Sequence, residues 1–268
     1  MMRIAPKPPN AKRDESLKST SNNAPNHPAD QASAPDPVAK LERVGLRYGS
    51  GPEILHDISL TLNPGAFYFL TGESGAGKSS LLRMLYLAHL PAKGRMKLFG
   101  KNVTQLNRKD LPLLRQRIGI VFQDFRLLDH LTVFENVALP LRLMGEERHN
   151  SEPYVMELLK WVGLLDYAEA LPNILSGGQK QSAAIARAVI GRPQLLLADE
   201  PTGNLDDRLA QKLMKLFEEL NRQGATVMIA THNHGLIRRM GHPIVHIEHG
   251  SLTQTKARLD GGHGKYEF

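Results

Sequence analysis

The chain of 268 residues contains no cysteine and a single tryptophan, and only 6% of its residues are aromatic. The absence of cysteine excludes a disulfide framework and a cysteine-ligated metal. No stretch of about 18 apolar residues occurs, so the sequence predicts no membrane-spanning helix. Residues 1–20 lack the apolar core of a secretory signal, and none is expected there. The 41% of hydrophobic residues are nevertheless enough to form a buried core.

The charge is biased towards one sign, with a formal net charge of +7 and an isoelectric point of about 9.6. A basic chain suits nucleic acid, an acidic partner or an anionic membrane surface, and it can equally serve solubility alone. The basic pairs Lys12-Arg13 and Arg238-Arg239 have neither interleaved aromatic residues nor a groove-reading helix motif. We therefore expect no direct binding to nucleic acid.

The first 38 residues differ in composition from the rest of the chain. They contain seven of its 17 prolines, with asparagine, alanine and serine between them. Such a segment buries too little apolar surface to offset the entropy lost on ordering, so residues 1–38 are predicted to be a disordered N-terminal tail. One folded domain is expected over residues 39–252, followed by a flexible C-terminal tail at residues 253–268.

One stretch of the folded part has the spacing G-x-x-x-x-G-K-[ST]. Residues 66–71 before it are rich in strand-forming types, and residues 80–90 after it have the apolar pattern of a helix. A strand, a glycine-rich loop and a helix are the context in which this motif binds nucleotide phosphates. The predicted phosphate-binding residues are Gly72, Glu73, Ser74, Gly75, Ala76, Gly77, Lys78, Ser79 and Ser80.

The residue types in this loop explain its chemistry. Glycines allow a tight turn in which successive N–H groups point inwards at anionic oxygens. The following helix adds unpaired N–H groups and the positive end of its dipole. Lys78 can bind the β- and γ-phosphates, and the hydroxyl of Ser79 can bind Mg²⁺. The loop therefore predicts a nucleotide site with a bound magnesium ion.

A second apolar run, residues 195–198, ends in Asp199 and Glu200. Ligands bind at the carboxyl ends of strands in a parallel sheet, where this pair is expected to lie beside the phosphate loop. Adjacent strand residues point to opposite faces, so the two carboxylates can divide the work of hydrolysis. We predict that Asp199 organises the metal and that Glu200 orients or activates the attacking water.

Residues 124–171 lack any strand pattern and are predicted to be a helical subdomain inserted into an α/β core. Thr132 is the predicted N-cap of a short helix, and Ser151 that of a longer one. After Ser151, apolar residues recur on one helical face, at positions 155, 158, 159 and 162.

A further motif, Leu175-Ser176-Gly177-Gly178-Gln179, precedes the alanine-rich helical stretch at residues 180–190. Its serine hydroxyl and bare glycine N–H groups suit an anion at a helix N-terminus. One nucleotide needs only one phosphate loop, so a second site of this kind needs a separate explanation. Between the phosphate loop and the two carboxylates, in that order, this motif resembles the signature loop of ABC transporter ATP-binding subunits.

The resemblance covers about residues 39–252 and implies an ABC cassette of the P-loop NTPase class. Such an α/β fold has a mostly parallel sheet core, an antiparallel β subdomain and an inserted helical subdomain. The family's activity implies ATP hydrolysis, with ATP and Mg²⁺ as cofactors. It also implies an ATP-dependent homodimer, in which the signature loop of one subunit caps the γ-phosphate held by the other. The implied signature residues are Ser176, Gly177, Gly178 and Gln179.

Single positions also match the family's motifs. Tyr48 matches the aromatic residue that stacks on adenine, and Gln123 matches the glutamine that reaches Mg²⁺ and the attacking water. Asp206 lies in Asn204-Leu205-Asp206, which matches the loop that crosses the dimer interface. His232 matches the histidine that contacts the γ-phosphate and holds the catalytic glutamate. The implied catalytic residues are Glu200, His232 and Gln123, and the implied metal ligands are Ser79, Gln123 and Asp199.

Residues 121–128, 131–141 and 196–206 carry a narrower resemblance, to the cell-division branch of the family. That branch implies an FtsX-like integral membrane subunit as partner, and a peripheral position on the cytoplasmic face of the bacterial inner membrane at the division septum. An alternative is an ATPase of a lipoprotein-release or solute export or import transporter, because some of these share residues 203–206. A nucleic-acid-directed ABC ATPase is disfavoured, because such chains usually carry two cassettes.

Some positions depart from the family pattern. Lys180 and Ser182 stand where the family usually has glutamine or glutamate and then arginine, Asn233 follows the histidine where aspartate is common, and Ser80 replaces a threonine. Hydrolysis is still expected because Glu200 and His232 are retained. Four further histidines have no carboxylate or thiolate at ligand spacing, so a metal site is not expected at His234, His242, His246 or His249.

Overall fold

The computed structural model describes residues 36–203 and 205–255. Most of the predicted N-terminal tail, Asn204 and residues 256–268 lie outside the described residues. The described strands are β1 Ala39–Arg47, β2 Glu53–Leu62, β3 Phe67–Thr71, β4 Lys93–Leu98, β5 Lys101–Asn102, β6 Ile118–Val121, β7 Leu195–Asp199, β8 Thr226–Ala230, β9 Ile244–Glu248 and β10 Ser251–Thr255. The described helices are α1 Lys78–Leu85, α2 Leu111–Arg115, α3 Val133–Leu143, α4 Arg148–Val162, α5 Gly177–Ile190, α6 Asp207–Arg222 and α7 His234–Met240.

The larger sheet has six strands in the order β10-β9-β3-β8-β7-β6. Every neighbouring pair is parallel except β10 with β9. All residues of β3 and β8 are buried, because helices or the second sheet cover both faces of these central strands. The carboxyl ends of β3, β7 and β8 therefore meet at one edge of the sheet, as predicted for a mostly parallel core.

The smaller sheet has four antiparallel strands in the order β2-β1-β4-β5. One apolar cluster joins it to α1 and to one face of the larger sheet. A second apolar cluster packs α3, α4, α5 and α6 against the opposite face. The expected antiparallel β subdomain is thus present, and the parallel sheet forms the layer between it and the helices.

The inserted helical block contains α3 and α4, and both pack against α5. Thr132 caps α3 as predicted, because its hydroxyl accepts from the N–H of Glu135 and the Glu135 side chain accepts from the N–H of Thr132. The prediction for Ser151 was wrong, since α4 begins three residues earlier, at Arg148. Ser151 is buried inside the helix, where its hydroxyl donates to the carbonyl of Arg148 over 3.1 Å instead of capping.

Two other boundaries differ from the sequence prediction. Helix α1 ends at Leu85, not near residue 90, because the chain leaves the helix at Leu87 in the left-handed region with φ 64°. Strand β10 continues to Thr255, three residues into the predicted C-terminal tail. Within the described residues, no helix is both long and apolar enough to cross a membrane.

Candidate active site

The phosphate loop connects the end of β3 to the start of α1, as its sequence context predicts. Gly72 has φ 144°, and a Cβ atom there would lie 2.2 Å from the carbonyl oxygen of Ile247. Gly77 has φ 112°, and a Cβ atom there would lie 2.7 Å from a methyl carbon of Leu55. Both positions therefore require glycine, for the backbone angle and for the close approach of β9 and β2.

The ammonium group of Lys78 lies within this loop. Its Nζ donates to the carbonyl oxygens of Gly72 and Glu73, each over 2.8 Å. These two carbonyl oxygens hold the Lys78 ammonium group where the loop turns, close to the N–H groups at the start of α1. A bound phosphate can replace these neutral acceptors with anionic ones, which make stronger hydrogen bonds.

Ser79 and Asp199 join α1 to the end of β7. The Ser79 hydroxyl donates to Oδ2 of Asp199 over 2.7 Å. Burial raises the pKa of the Asp199 carboxyl, and the adjacent charge of Glu200 raises it further, whereas the Ser79 hydrogen bond and Lys78 act in the opposite direction. A hydroxyl and a carboxylate this close form the kind of oxygen donor set that Mg²⁺ prefers, so the residues present fit that ion.

Glu200 is held by the end of the neighbouring strand, β8. Its Oε2 accepts from the hydroxyl of Thr231 over 3.0 Å, and its Oε1 accepts from the backbone N–H of His232 over 3.0 Å. The same Oε1 lies 2.7 Å from Nδ1 of His232. The Glu200 side chain is only 15% exposed, whereas that of His232 is 79% exposed. The carboxylate is thus fixed from one side, and the imidazole reaches into the open part of the site.

The phosphate loop, Asp199, Glu200, His232 and Gln123 line one cavity of about 1210 Å³. Four segments far apart in sequence therefore converge on a volume that can accept a nucleotide. Thr231, His246 and Glu248 also line it, and these residues were not predicted. The residues predicted to bind nucleotide that do not line this cavity are Tyr48, Ala76, Ser176, Gly177, Gly178, Gln179 and Asp206.

Tyr48 lies beside the first turn of α1. Its hydroxyl donates to Oγ of Ser80 over 3.1 Å, and its ring meets that of His89 edge-to-face at 4.8 Å between centroids. The departure from threonine at Ser80 thus retains a hydroxyl that Tyr48 uses. The stacking of Tyr48 on adenine stays a prediction.

The signature motif lies on the surface of the chain, at the start of α5. Ser176 is the N-cap: its hydroxyl accepts from the N–H of Gln179 over 3.3 Å, and Oε1 of Gln179 accepts from the N–H of Ser176 over 2.8 Å. Ser176 and Gly177 are exposed, and neither lines the cavity of their own chain. Asp206 similarly caps α6, since its side chain accepts from the N–H of Leu209. These residues are thus exposed to solvent or serve as caps within one chain.

The unusual residue Ser182 is buried on the inner side of α5, where its hydroxyl donates to the carbonyl of Gly178 over 3.0 Å. Its neighbour Gln181 is buried as well, and its Nε2 donates to the carbonyl of Pro201, the residue after Glu200. Helix α5 therefore contacts the chain directly after Glu200, the predicted catalytic residue, and the sequence did not reveal this contact.

Gln123 follows the end of β6 and is exposed. Besides the large cavity, it lines a neighbouring one of about 410 Å³ with Ser79 and Asp199. The next residues turn sharply, with φ 58° at Phe125 and 48° at Arg126. This left-handed conformation costs roughly 1–2 kcal/mol for each residue that is not glycine. The loop after Gln123 therefore needs support from elsewhere.

Two side chains that sequence reasoning missed provide that support. Asn136 of α3 is fully buried, and its Nδ2 donates to the carbonyls of Leu128, Leu131 and Thr132 over 3.0 Å each. Arg187 of α5 donates to the carbonyls of Phe125 and Arg126. The only available signal was a polar residue on an otherwise apolar helical face, and that pattern does not identify the partners.

Among the described residues, no group of three or more histidine, aspartate or glutamate side chains could hold a metal ion. His246 instead lies with Nδ1 2.9 Å from the hydroxyl of Thr71, the last residue of β3. His242 stacks on Phe67 with 4.1 Å between ring centroids. Both histidines therefore have structural partners within the sheet layer.

A model of the ABC transporter family matches residues 55–203, which is more than half of the chain. The chain belongs to the ABC transporter family and is an ATP-binding cassette with ATPase activity. Among curated proteins it is similar to the cell division ATP-binding protein FtsE of Streptococcus pneumoniae strain D39, with 40% identity over 226 residues, covering 84% of this chain and 98% of that protein. FtsE of Escherichia coli K12 is 43% identical over 215 residues, covering 80% of this chain and 97% of that protein.

Solved structures support the same assignment. The dimeric post-hydrolysis state of the ATP-binding cassette MJ0796, bound to ADP and Pi, superimposes with a TM-score of 0.76 at 33% identity. The superposition covers 82% of this chain and 99% of the MJ0796 chain. A second dimeric structure of MJ0796, described as a bacterial ABC transporter cassette, has a TM-score of 0.75 at 34% identity.

Proposed function

We propose that this chain is the ATPase subunit of an FtsEX-like complex that works in bacterial cell division. The observation that carries the proposal is the fixed pair of Glu200 and His232 facing the phosphate loop, in a chain 40–43% identical to FtsE proteins over most of its length. The pair supports ATP turnover, and the relatives support the process that turnover serves.

In the proposed mechanism the N–H groups of the phosphate loop and Lys78 bind the phosphates. Ser79, Asp199 and Gln123 would hold Mg²⁺, which would neutralise charge on the phosphates when bound. Glu200 accepts a hydrogen bond from the attacking water and orients it in line with the γ-phosphate. Two groups just after β8, the hydroxyl of Thr231 and the backbone N–H of His232, keep the Glu200 carboxylate in one orientation.

Two copies are proposed to close around two ATP molecules. The signature residues Ser176, Gly177, Gly178 and Gln179 of one copy would complete the cavity of the other, because they do not line their own. The dimeric form of the MJ0796 cassette supports this arrangement. Asp206 would lie near the interface, and Tyr48 would contact the adenine.

The membrane partner is proposed to be an FtsX-like integral membrane subunit, and the chain to be peripheral on the cytoplasmic face of the inner membrane at the septum. A mostly apolar groove, lined by Tyr86, Ala88, Ile118, Ile120 and Phe122 together with Arg115, suits a segment of that partner. Tyr86, Ile120 and Phe122 also line the cavity that contains Gln123, so a segment bound there would respond to movement of the loop.

Affinity capture tests this assignment. Full-length tagged chain, recovered from membranes by gentle detergent extraction, is expected to bring down an FtsX-like membrane protein in a fixed ratio. A Phe122→Asp variant should lose the partner and keep ATP binding, because it changes the groove and not the phosphate loop. Recovery of a permease with a solute-binding or lipoprotein-release component instead would contradict the cell-division assignment and leave the ATPase intact.

A further inference from the structure

Arg187 lies in the last turn of α5, where its guanidinium group binds two consecutive carbonyl oxygens. Nη2 donates to Phe125 over 2.7 Å, and Nη1 donates to Arg126 over 2.6 Å. Within the described residues no carboxylate forms an ion pair with it. Burial lowers the pKa of Arg187 to about 10, so the group still carries its charge at neutral pH. Among the residues that the structure describes, these two carbonyls are its hydrogen-bond partners, and hydrogen bonds from a charged donor are stronger than those from a neutral one.

The two carbonyls belong to a turn in a costly conformation. Phe125 and Arg126 both have positive φ, and the turn is closed by the N–H of Arg126 on the carbonyl of Asp124 over 2.6 Å. Residues other than glycine keep such angles only where surrounding groups hold them. The Arg126 side chain binds Asp124 and stacks on Phe122, and both of these lie in the same segment. Arg187 is therefore the contact that anchors this turn to another element.

This turn begins directly after Gln123. In the described part of the chain the Gln123 side chain makes no hydrogen bond, so its position depends on its backbone. On one side that backbone continues β6, which pairs with β7 through Val121 and Ala198. On the other side it continues into the turn that Arg187 holds. The location of the Gln123 amide relative to Asp199 therefore depends on a residue of a different element, helix α5.

We propose that Arg187 is a positioning residue for ATP hydrolysis. By binding the carbonyls of Phe125 and Arg126, it holds Gln123 within reach of the metal and the attacking water. The inference rests on the role proposed above for Gln123. The N-terminus of the same helix carries Ser176, so the element that presents the signature motif also fixes Gln123 of its own chain.

A double-mutant cycle on the full-length chain tests the inference. Arg187→Ala is expected to lower kcat by about 10- to 100-fold while KM for MgATP changes by less than about threefold, because the loop misplaces a group that acts during hydrolysis. Arg187→Lys should retain an intermediate kcat, because one ammonium group replaces the two-pronged contact. In a Gln123→Ala background, Arg187→Ala should lower kcat by less than about threefold.

The matched control is Arg117→Ala at the opposite end of β6. Arg117 is also partly buried, and it binds Oε1 of Gln194 away from the cavity, so its loss should lower the melting temperature and leave kcat unchanged. Equal losses of kcat from Arg187→Ala in both backgrounds would overturn the inference, as would an equal loss from Arg117→Ala. If Arg187→Ala does not fold, Arg187→Lys carries the same cycle.

Different results would exclude the role of Gln123 and the role of Arg187. If Gln123→Ala alone leaves kcat unchanged, the role proposed for Gln123 is wrong and the inference about Arg187 falls with it. If Gln123→Ala lowers kcat but the cycle is additive, Gln123 keeps its role and only the inference about Arg187 is overturned.

Discussion

Glu200 combines a fixed geometry with an open face. Its two oxygens accept from Thr231 and His232, so the carboxylate cannot rotate freely, and its backbone N–H donates to Ala230 over 2.9 Å. Its φ of 46° is left-handed, and this conformation turns the chain out of β7 at the site. A residue that pays this conformational cost at a strand end is typical of a functional position.

We predict that Glu200→Gln lowers the rate of ATP hydrolysis at least about 100-fold and leaves MgATP binding intact. The amide keeps the size of the carboxylate and an acceptor for His232, but it loses the charge that orients the water. Phosphate release and nucleotide titration measure the two effects. Glu219→Gln, on the surface of α6, is the control and should retain the normal rate. A normal rate in Glu200→Gln would remove Glu200 from the mechanism.

Protonation of the His242 ring is coupled to the free energy of unfolding of the chain. Burial lowers the pKa of His242, and the nearby charge of Glu218 opposes this only in part. Its Nε2 is buried without a hydrogen-bond partner among the described residues, and its ring stacks on Phe67. The folded chain therefore favours the neutral ring, whereas the unfolded chain takes up a proton near pH 6.5. The stabilisation is fully present above that pH and is lost as the pH falls towards the lower folded pKa.

We predict that the wild-type chain loses more stability between pH 7.5 and pH 5.5 than His242→Phe does. Phenylalanine keeps the stacked ring on Phe67 and removes the titrating group. Urea unfolding at both values of pH measures the difference. His130→Gln, at an exposed loop position, should keep the wild-type dependence. If His242→Phe shows the same loss as the wild type, His242 does not contribute to it.

The sequence predicts some of these residues much better than others. Lys78, Ser79, Asp199 and Glu200 were predictable because a contiguous motif, or the end of an apolar strand, fixes what they face. Arg187 was not, because its partners are backbone carbonyls 61 and 62 positions away, and carbonyls carry no residue identity.

At the scale of elements, strands were easier to predict than helix ends. Buried strands such as β7 and β8 appear in the sequence as short apolar runs, and parallel pairing then brings their ends together. Helix α4 instead begins after Glu147, whose side chain makes no capping hydrogen bond. The serine that resembled a cap points inwards. Local propensity therefore misplaced the boundary, because tertiary burial of Ser151 decided it.

Asn136 shows how one side chain on α3 organises the loop before it. Its amide, itself fully buried, accepts from the N–H of Leu128 and donates to three carbonyls. We predict that Asn136→Ala lowers the free energy of unfolding by at least about 2 kcal/mol, because the loop loses four part-buried hydrogen bonds to its backbone at once. Denaturant unfolding measures this loss.

The matched control for that prediction is Asn150→Ala, an exposed asparagine on α4, which should change stability by less than about 0.5 kcal/mol. If Asn136→Ala also changes stability by less than about 0.5 kcal/mol, water or other groups form hydrogen bonds to the loop backbone in place of Asn136. The helical block would then be held by its apolar contacts alone.

At the scale of the whole molecule, the sheet divides the chain into two faces with different tasks. The face with α1 and the smaller sheet holds the phosphate loop, and the face with α3, α4 and α5 carries the signature motif. The cavity contains residues from β3, α1, β7 and β9, and residues that follow β8, but none of the signature residues. A single chain thus carries both parts of the proposed site on surfaces that do not meet.

We predict that Glu200→Gln with MgATP forms a dimer in solution, whereas the same variant with ADP stays monomeric. Trapping ATP keeps the γ-phosphate in place, and the exposed N-terminus of α5 in a second copy supplies N–H groups for it. Adding Ser176→Arg should prevent the dimer. The bulky arginine side chain would occupy the space next to the nucleotide, and the start of α5 would lose its serine cap. Gln223→Arg, at the exposed end of α6, should leave it unchanged. Light scattering measures the mass, and a monomer of Glu200→Gln at saturating MgATP would show that one chain holds its nucleotide without the signature of another.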